Sequence, residues 1–462
     1  GDTGFNGNDL IHTPNLDELR SEGARFTRFY AGGPVCSPTR GTCLTGRHYS
    51  RYGITHANVG LLPEPEITLQ QICREHGYAT GHFGKWHLGT LTTEEPDSNR
   101  GGRDRPELYA PPWERDFGVC FSTEAKVPTH DPMLTPAETV DGEPRWGEPG
   151  TPFGTFYWRE DGTKATDNLR GDDSRVIADR AVPFIRSRAQ RGEPFLAVIW
   201  FHAPHTPVVA GPRHRALYSE RCPEEQHYYG CLSAMDEQVG RINSLVKDLG
   251  IEEETMMWFC SDNGPEGSND LAANGRCRGS TAGLRGRKRS LFNGGIEVPA
   301  LIKWPGQVDA GSEYTIPCST LDYLPTISQV LGYEMPDDRP LDGVSLLPFF
   351  EGEMEERPAP IPYRFLERRE AMFGAPTLAM FGNRYKYLTN LSEDRTEDMC
   401  FDLLEDPEES RNIIENRRDV ADEMRGRLQR FIDSCRRSHQ GADYPVSYEP
   451  VNDFQHITGT WH

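Results

Sequence analysis

"PFLAVIWF", residues 194–201, is an unbroken apolar run. It reads as a strand of the kind buried on both faces. Just before it, "DSRVIADRAVPFIRSRAQ" (173–190) is helical, with Pro183 expected to kink the helix or mark its start. After it, "PEEQHYYGCLSAMDEQVGRINSLVKDLG" (223–250) reads as a long helix ending at Gly250. "TMMWFCS" (255–261) then reads as a second buried strand. Strands alternating with helices predict an α/β fold around a large mixed, mostly parallel sheet.

Toward the N-terminus, "NLDELRSEGARF" predicts a short helix ending near Gly23. Residues 38–46 predict another, with Ser37 as N-cap and Pro38 at its first position. "ITLQQICREHG" (67–77) is an amphipathic helix closed by Gly77, and "YATGHFGKW" follows as a strand. Residues 90–170, rich in Pro, Gly and charge, read as long loops over one face. Beyond the acidic, Pro-rich "FEGEMEERPAPIP" (350–362) come four short strand candidates: "PYRFLE", "TLAMF", "RYKYLT" and "MCFDLL". A last helix spans about Asp419 to Arg436. The expected organisation is a catalytic domain over 1–350 and a C-terminal α+β subdomain over 351–462, an antiparallel sheet plus a helix.

Composition limits the partners. The 462 residues are 36% hydrophobic, with eight Trp and 21 Phe to fill cores. No apolar run approaches the roughly 18 residues of a membrane span. A net charge of −21 makes a poor partner for nucleic acid or an anionic membrane. A polyanionic substrate therefore needs a local basic pocket. "RCRGSTAGLRGRKR" (276–289), with Arg276, Arg278, Arg285, Arg287, Lys288 and Arg289, is either that pocket or a solvated basic loop. The 11 cysteines have no knot-like spacing. Pairing of Cys222 with Cys231, or of Cys400 with Cys435, stays open. The chain opens on "GDTGFNGNDL", with no leader, initiator Met or first strand. The expectation is an upstream segment missing from this chain, and a periplasmic or secreted location.

Four segments place chemistry at apparent strand ends. In "SDNG" (261–264), Asp262 and Asn263 offer adjacent oxygens of the kind hard cations take; the alternative is an Asx turn. In "FHAPHTP" (201–207), His202 and His205 are metal ligands, acid/base groups or polar loop residues. In "GKWHLG" (84–89), Lys85 and His87 alternate and so share a face. They suit a tetrahedral oxyanion, or are a snorkelling Lys and a packed His. Lys288 sits among glycines just before the strand candidate "VPALIKW". Jointly the four fit a pocket for a charged oxyanion near a metal.

"CSPTRGTCLTGR" (36–47) makes the reading specific. Cys36-Ser-Pro-Thr-Arg40 running to Leu44-Thr-Gly-Arg47 resembles the formylglycine signature of the type I sulfatases, in the alkaline phosphatase superfamily. The likeness extends to "HTPNLDELRSEGARFTRFYA", "GKWHLG", "HAPHTP", "SDNGPE", "NGGIEVPALIKWPG" and "FDLLEDPEESRNI", in the family's order along nearly the whole chain. The resemblance implies an alkaline-phosphatase-like sandwich. It also implies oxidation of Cys36 to formylglycine by a formylglycine-generating or anaerobic sulfatase-maturing enzyme. The aldehyde hydrate attacks sulfur, and its second hydroxyl then expels the sulfate. By the same resemblance Arg40 anchors residue 36, Lys85 and Lys288 bind sulfate oxygens, and His87 accepts a proton in the elimination. His205 serves the leaving oxygen, and Asp262, Asn263 and residue 36 ligate Ca2+, with Mg2+ as alternative. An Asp-Asp pair that the family carries shortly before a Gly-Asp matching Gly1-Asp2 lies outside this chain, which puts metal binding in doubt. The implied substrate is a sulfated carbohydrate, a polysaccharide or glycosaminoglycan fragment, with Trp113, Trp146, Tyr157 and Trp158 as stacking candidates. The rivals are a phosphodiesterase or phosphonate monoester hydrolase of the same superfamily and an inactive sugar-binding relative.

Overall fold

The structure, a computed structural model, describes residues 1–140, 143–270, 274–365, 376–391, 393–444 and 451–452. Helix α1 (Pro14–Glu22) starts on a proline and leads into strand β1 (Ala24–Phe26). Helix α2 spans Cys36–Thr45. It begins earlier than expected: Val35, not Ser37, precedes its first turn, so Cys36 is itself the first helical residue. Gly46 closes it, with a φ of +64° that lets its N–H reach Thr42 O. Helix α3 (Leu69–Glu75) precedes β2 (Ala79–Lys85). Strand β3 (Val119–Thr123) lies within the stretch read as loops. Five residues were too few for a period to stand out there. Strand β4 is Trp158–Arg159.

Helix α4 (Asp173–Gln190) is capped by Asp172, whose carboxylate accepts from Arg175 N at 3.0 Å. It runs through Pro183 rather than starting there, because that cap fixes its origin ten residues earlier. Strand β5 (Phe195–Trp200) and helix α5 (Pro223–Asp248) follow. Next come β6 (Met257–Cys260), β7 (Ala300–Lys303) and β8 (Ser312–Tyr314).

These strands form two four-stranded sheets. The first has the order β4-β3-β2-β5, with β2 parallel to β3 and β5 and only β4 antiparallel. The second has the order β8-β1-β7-β6, with β1 parallel to β8 and the pairs β1–β7 and β7–β6 antiparallel. Strands β5 and β6 are thus both edges, and both line one cavity of about 1170 Å³. As read, both strands pack side chains on both faces: Leu196, Val198 and Trp200 on one face and Phe195, Ala197 and Ile199 on the other, and likewise Met257 and Phe259 against Trp258 and Cys260. They are nevertheless mostly half-buried, because one edge of each is open. Each has a backbone partner on one side and the cavity on the other. Helices α4 and α5 cover the first sheet, packing Ile177, Phe184, Ile242 and Leu245 against Phe83 and Phe121.

Strands β9 (Ile361–Arg364), β10 (Leu378–Phe381), β11 (Tyr385–Thr389) and β12 (Met399–Asp402) form an antiparallel meander. The last two residues of "PYRFLE" lie outside the described residues. Helix α6 (Arg418–His439) sets Leu428, Phe431, Ile432 and Cys435 on Leu378 and Met380. Ile361, Tyr363, Phe381 and Phe401 pack with Tyr30, Val35, Leu291 and Phe292. The small sheet thereby props the segments just before Cys36 and just after Lys288. All 11 cysteines are free, so neither candidate disulfide forms.

Candidate active site

Cys36 is 2% exposed at the N-terminus of α2, where unpaired backbone N–H groups favour an anion. One turn on, Arg40 binds together the elements that carry the other candidates. Its Nη1 donates to Lys85 O at 2.8 Å, at the end of β2. Its Nη2 donates to Asp262 Oδ2 at 2.9 Å, just past β6. Its guanidinium lies 4.8 Å from the Trp200 ring centroid, at the end of β5. Strand ends from both sheets therefore meet at one helix terminus.

Lys85 is 2% exposed and Lys288 5%. Both lie within electrostatic range of Cys36, Asp262 and, for Lys85, Lys288 itself. Burial lowers the Lys85 pKa, Cys36 and Asp262 resist that, and Arg40 and Lys288 add to it. Burial also opposes charge on Lys288, but Cys36, Glu266 and Asp262 outweigh it and raise its pKa. Burial pushes the Asp262 carboxyl up; Arg40, Lys85 and Lys288 outweigh that and hold it below its usual value. Lys288 Nζ stands 3.4 Å from Glu266, which Arg289 also pairs at 3.1 Å. The solvated-loop reading of 276–289 fails at Arg287 and Lys288, because both are buried. Arg287 donates to the carbonyls of Glu266 and Gly279. Gly84 fixes the approach of Lys85: its φ is +105°, and a Cβ there would lie 2.0 Å from Trp200 O.

His87 is 3% exposed, with a φ of +60°. Its Nε2 contacts Asn58 Oδ1 at 2.7 Å, which leaves the proton on Nε2. Its buried Nδ1 has no hydrogen-bond partner among the described residues. Burial, then Lys85, Arg100 and Arg40, lower its pKa well below the usual imidazole value, so it is a neutral acceptor at pH 7. His205 lies in the same field: burial, Lys85 and Lys288 depress it, while its contact with Thr206 O at 2.7 Å opposes. His202 stands apart from these. It is buried between Asp173 (2.8 Å), Thr123 (2.8 Å) and Ala125 O (3.1 Å), a packed structural histidine.

Arg40, Lys85, His205, Asp262, Asn263 and Lys288 line the one cavity. His202 also lines it, whereas Cys36 and His87 do not; these two join the group through the charges they share with Lys85, Lys288 and Arg40. Asn58, Trp200 and Glu266 were missed as site residues. Asn58 lies in a loop with no motif, and the Trp200–Arg40 contact joins positions 160 residues apart, so local pattern carried no signal for either.

Metal donors are few. Asn263 Oδ1 is buried with no hydrogen-bond partner among the described residues, as a ligand oxygen would be. Asp262 keeps one oxygen for Arg40. Asp2 is tied up by Tyr228 (2.8 Å) and Ser280 N (2.7 Å). Among the described residues no group of three or more His, Cys, Asp or Glu side chains is placed to hold a metal. Two side chains fall short of the roughly 6–8 oxygens that Ca2+ takes, so these residues do not complete its site. Isothermal titration of this chain with CaCl2 is expected to give a Kd no tighter than about 10⁻⁴ M. Micromolar binding would show a donor set other than this one.

Of the four stacking candidates, two are core residues. Tyr157 is fully buried on Phe121 and donates to Asp173 at 2.6 Å. Trp158, 4% exposed, donates to Asp97 at 2.8 Å. Each ring is buried as apolar surface, and its OH or NH is satisfied there by a buried carboxylate. Trp113 is partly buried against the core cluster of Trp86, Phe117 and Trp158. Trp146 stays half-exposed.

The sequence profile of the family described as Sulfatase matches residues 1–333, and that described as N-sulphoglucosamine sulphohydrolase, C-terminal, matches 286–434. Steryl-sulfatase of Mus musculus is 30% identical over 406 residues, covering 77% of this chain and 64% of that protein. Arylsulfatase G of Mus musculus is 34% identical over 378 residues, covering 77% and 68%. The chain spans about two thirds of the length of these relatives. The solved structure of Ps i-CgsB in complex with k-i-k-neocarrahexaose has the same fold, with a TM-score of 0.75 at 24% identity over 93% of this chain and 89% of that one. Among the described residues no helix is long and apolar enough to cross a membrane. With these matches running the length of the site-bearing segments, the chain belongs to the sulfatase family.

Proposed function

We propose that this protein hydrolyses a sulfate ester of a carbohydrate, with formylglycine matured from Cys36 as nucleophile. The observation that carries the reading is the convergence of Arg40, Lys85 and Lys288 on the N-terminus of α2 in a chain of net charge −21. Formylglycine supplies, as its hydrate, one hydroxyl that attacks sulfur and a second whose deprotonation releases sulfate. The maturing enzyme is a required partner. The match of residues 286–434 to the family described as N-sulphoglucosamine sulphohydrolase, C-terminal, supports a sugar as the group that bears the sulfate. A periplasmic or secreted location fits such substrates. Residues 1–350 are read as the catalytic domain and 351–462 as the subdomain bracing it.

Each side chain has a task in this reading. Lys85 and Lys288 hold the sulfuryl oxygens, and α2 turns its N–H groups toward the same charge. Arg40 fixes Asp262 and the end of β2 relative to residue 36. His87, neutral and held by Asn58 with its proton on Nε2, offers Nδ1 to the hydroxyl that must lose a proton. Asp262 and Asn263 are the oxygens this chain offers to Ca2+ or Mg2+, and no step here depends on them. Comparing an aryl sulfate with an aryl phosphodiester tests the reaction class. Sulfate turnover is expected to dominate; preferred phosphodiester turnover would select the hydrolase rival, and neither activity in matured protein would select a binding protein.

His205 is read as serving the leaving oxygen, and its depressed pKa gives that reading a pH signature. A lowered pKa means that its protonated form grows only on the acid side of its ordinary value of 6.5. Turnover of a sugar sulfate, whose alkoxide is a poor leaving group, is expected to rise as pH falls below 6.5. His205→Ala is expected to cost about 10²-fold or more on that substrate and far less on an activated aryl sulfate. Equal losses on both, or a sugar-sulfate profile flat from about pH 5 to 8, would remove His205 from proton donation.

A further inference from the structure

Two cations share the indole of Trp146. Lys126 Nζ lies 5.2 Å and Arg145 Cζ 5.1 Å from its ring centroid, within cation–π range. The ring is fixed: its N–H donates to Glu138 at 2.7 Å, and it meets Phe153 edge-on at 6.5 Å. Glu138 also accepts from Arg145 at 3.4 Å, so its single charge is already engaged. Lys126 has no ion pair among the described residues. Glu124, the carboxylate acting on it, is buried and bound to Arg100 at 2.7 Å. A half-buried ammonium without an ion pair, beside a second cation, is costly, and an arriving anion would offset that cost.

The position of the cluster indicates which anion. Lys126 comes three residues after β3, at the sheet end where β2 delivers Lys85. Its charge reaches His205, on the leaving-group side, and that of Arg145 reaches Cys277, which also feels Lys288. Trp146 adds the one half-exposed ring face of the stacking candidates that is free of the core clusters.

We propose that Lys126, Arg145 and Trp146 form a subsite for a second anionic group, a carboxylate or a further sulfate, on the sugar that departs with the alcohol oxygen. The proposal rests on the sulfatase reading above and names its substrate class: a multiply charged sugar rather than a neutral sugar or a steroid. Three matched disaccharides carrying the same scissile sulfate test it, one otherwise neutral, one with a uronate carboxylate, one with a second sulfate. In the matured wild-type protein the charged substrates are expected to have the higher kcat/KM. That advantage is expected to fall about tenfold in Lys126→Gln and Trp146→Ala, through KM, and to be largely kept in Lys126→Arg. Whichever charged substrate loses more identifies the anion. An advantage unchanged in all three variants would overturn the proposal.

Calorimetric binding of the desulfated uronate disaccharide separates this failure from failure of the sulfatase reading. Binding that weakens about tenfold in Lys126→Gln supports the subsite even if no sulfate ester is turned over. Equal affinity of wild type and Lys126→Gln for this probe and for a disulfated sugar overturns the subsite even if sulfate esters are cleaved.

Discussion

Cys36→Ala is expected to abolish turnover, by about 10⁴-fold or more, while the protein stays folded. Removing a covalent nucleophile takes away the step on which the others act, and losses of ~10⁴–10⁶-fold follow in enzymes built this way. The fold is expected to tolerate the change. Residue 36 makes no disulfide, sits in the first turn of α2, and is smaller by one sulfur atom as alanine. The backbone around it is held independently, by Thr39 Oγ1 donating to Gly33 O at 2.8 Å and by Arg40. Steady-state kinetics on an aryl sulfate with thermal unfolding in parallel measures both parts. Retention of more than about 1% of wild-type kcat would place the nucleophile elsewhere.

Lys288→Ala is expected to lower kcat by about 10²–10³-fold, the range for removing one preorganised oxyanion donor. The transition state spreads charge over the sulfuryl oxygens and the departing oxygen, so a fixed cation stabilises it more than the ground state. Lys288 is nearly fully buried, and Cys36, Glu266 and Asp262 hold it charged. The variant should fold, since Arg289 still pairs Glu266 at 3.1 Å. The loss is expected in kcat and kcat/KM alike. A rise in KM with kcat unchanged would reduce Lys288 to a ground-state contact.

Much of this site was legible before any coordinates. The helix start at residue 36, the strand ends at Lys85, His205 and Asp262, and the glycine-flanked Lys288 lie next to apolar runs or turn residues, and those are local signals. What was not legible needed long-range packing. Nothing near Tyr157 or Trp158 in sequence reports Asp173 or Asp97, whose carboxylates satisfy the OH and NH of the two buried rings. Nothing near Asn58 reports His87. The half-buried state of β5 and β6 depends on which strands pair, and a continuous apolar run does not encode its neighbours. Ser37 lost the capping position because Cys36 already takes helical geometry, a one-residue shift within the ordinary uncertainty of helix starts.

Peptide mass spectrometry on residues around position 36, from protein co-expressed with a maturing enzyme and shown to cleave an aryl sulfate, tests the central claim most directly. The predicted result is conversion of the Cys36 thiol to an aldehyde, in a fraction that tracks specific activity across preparations. Full sulfatase activity from protein whose residue 36 is entirely unmodified thiol would contradict it.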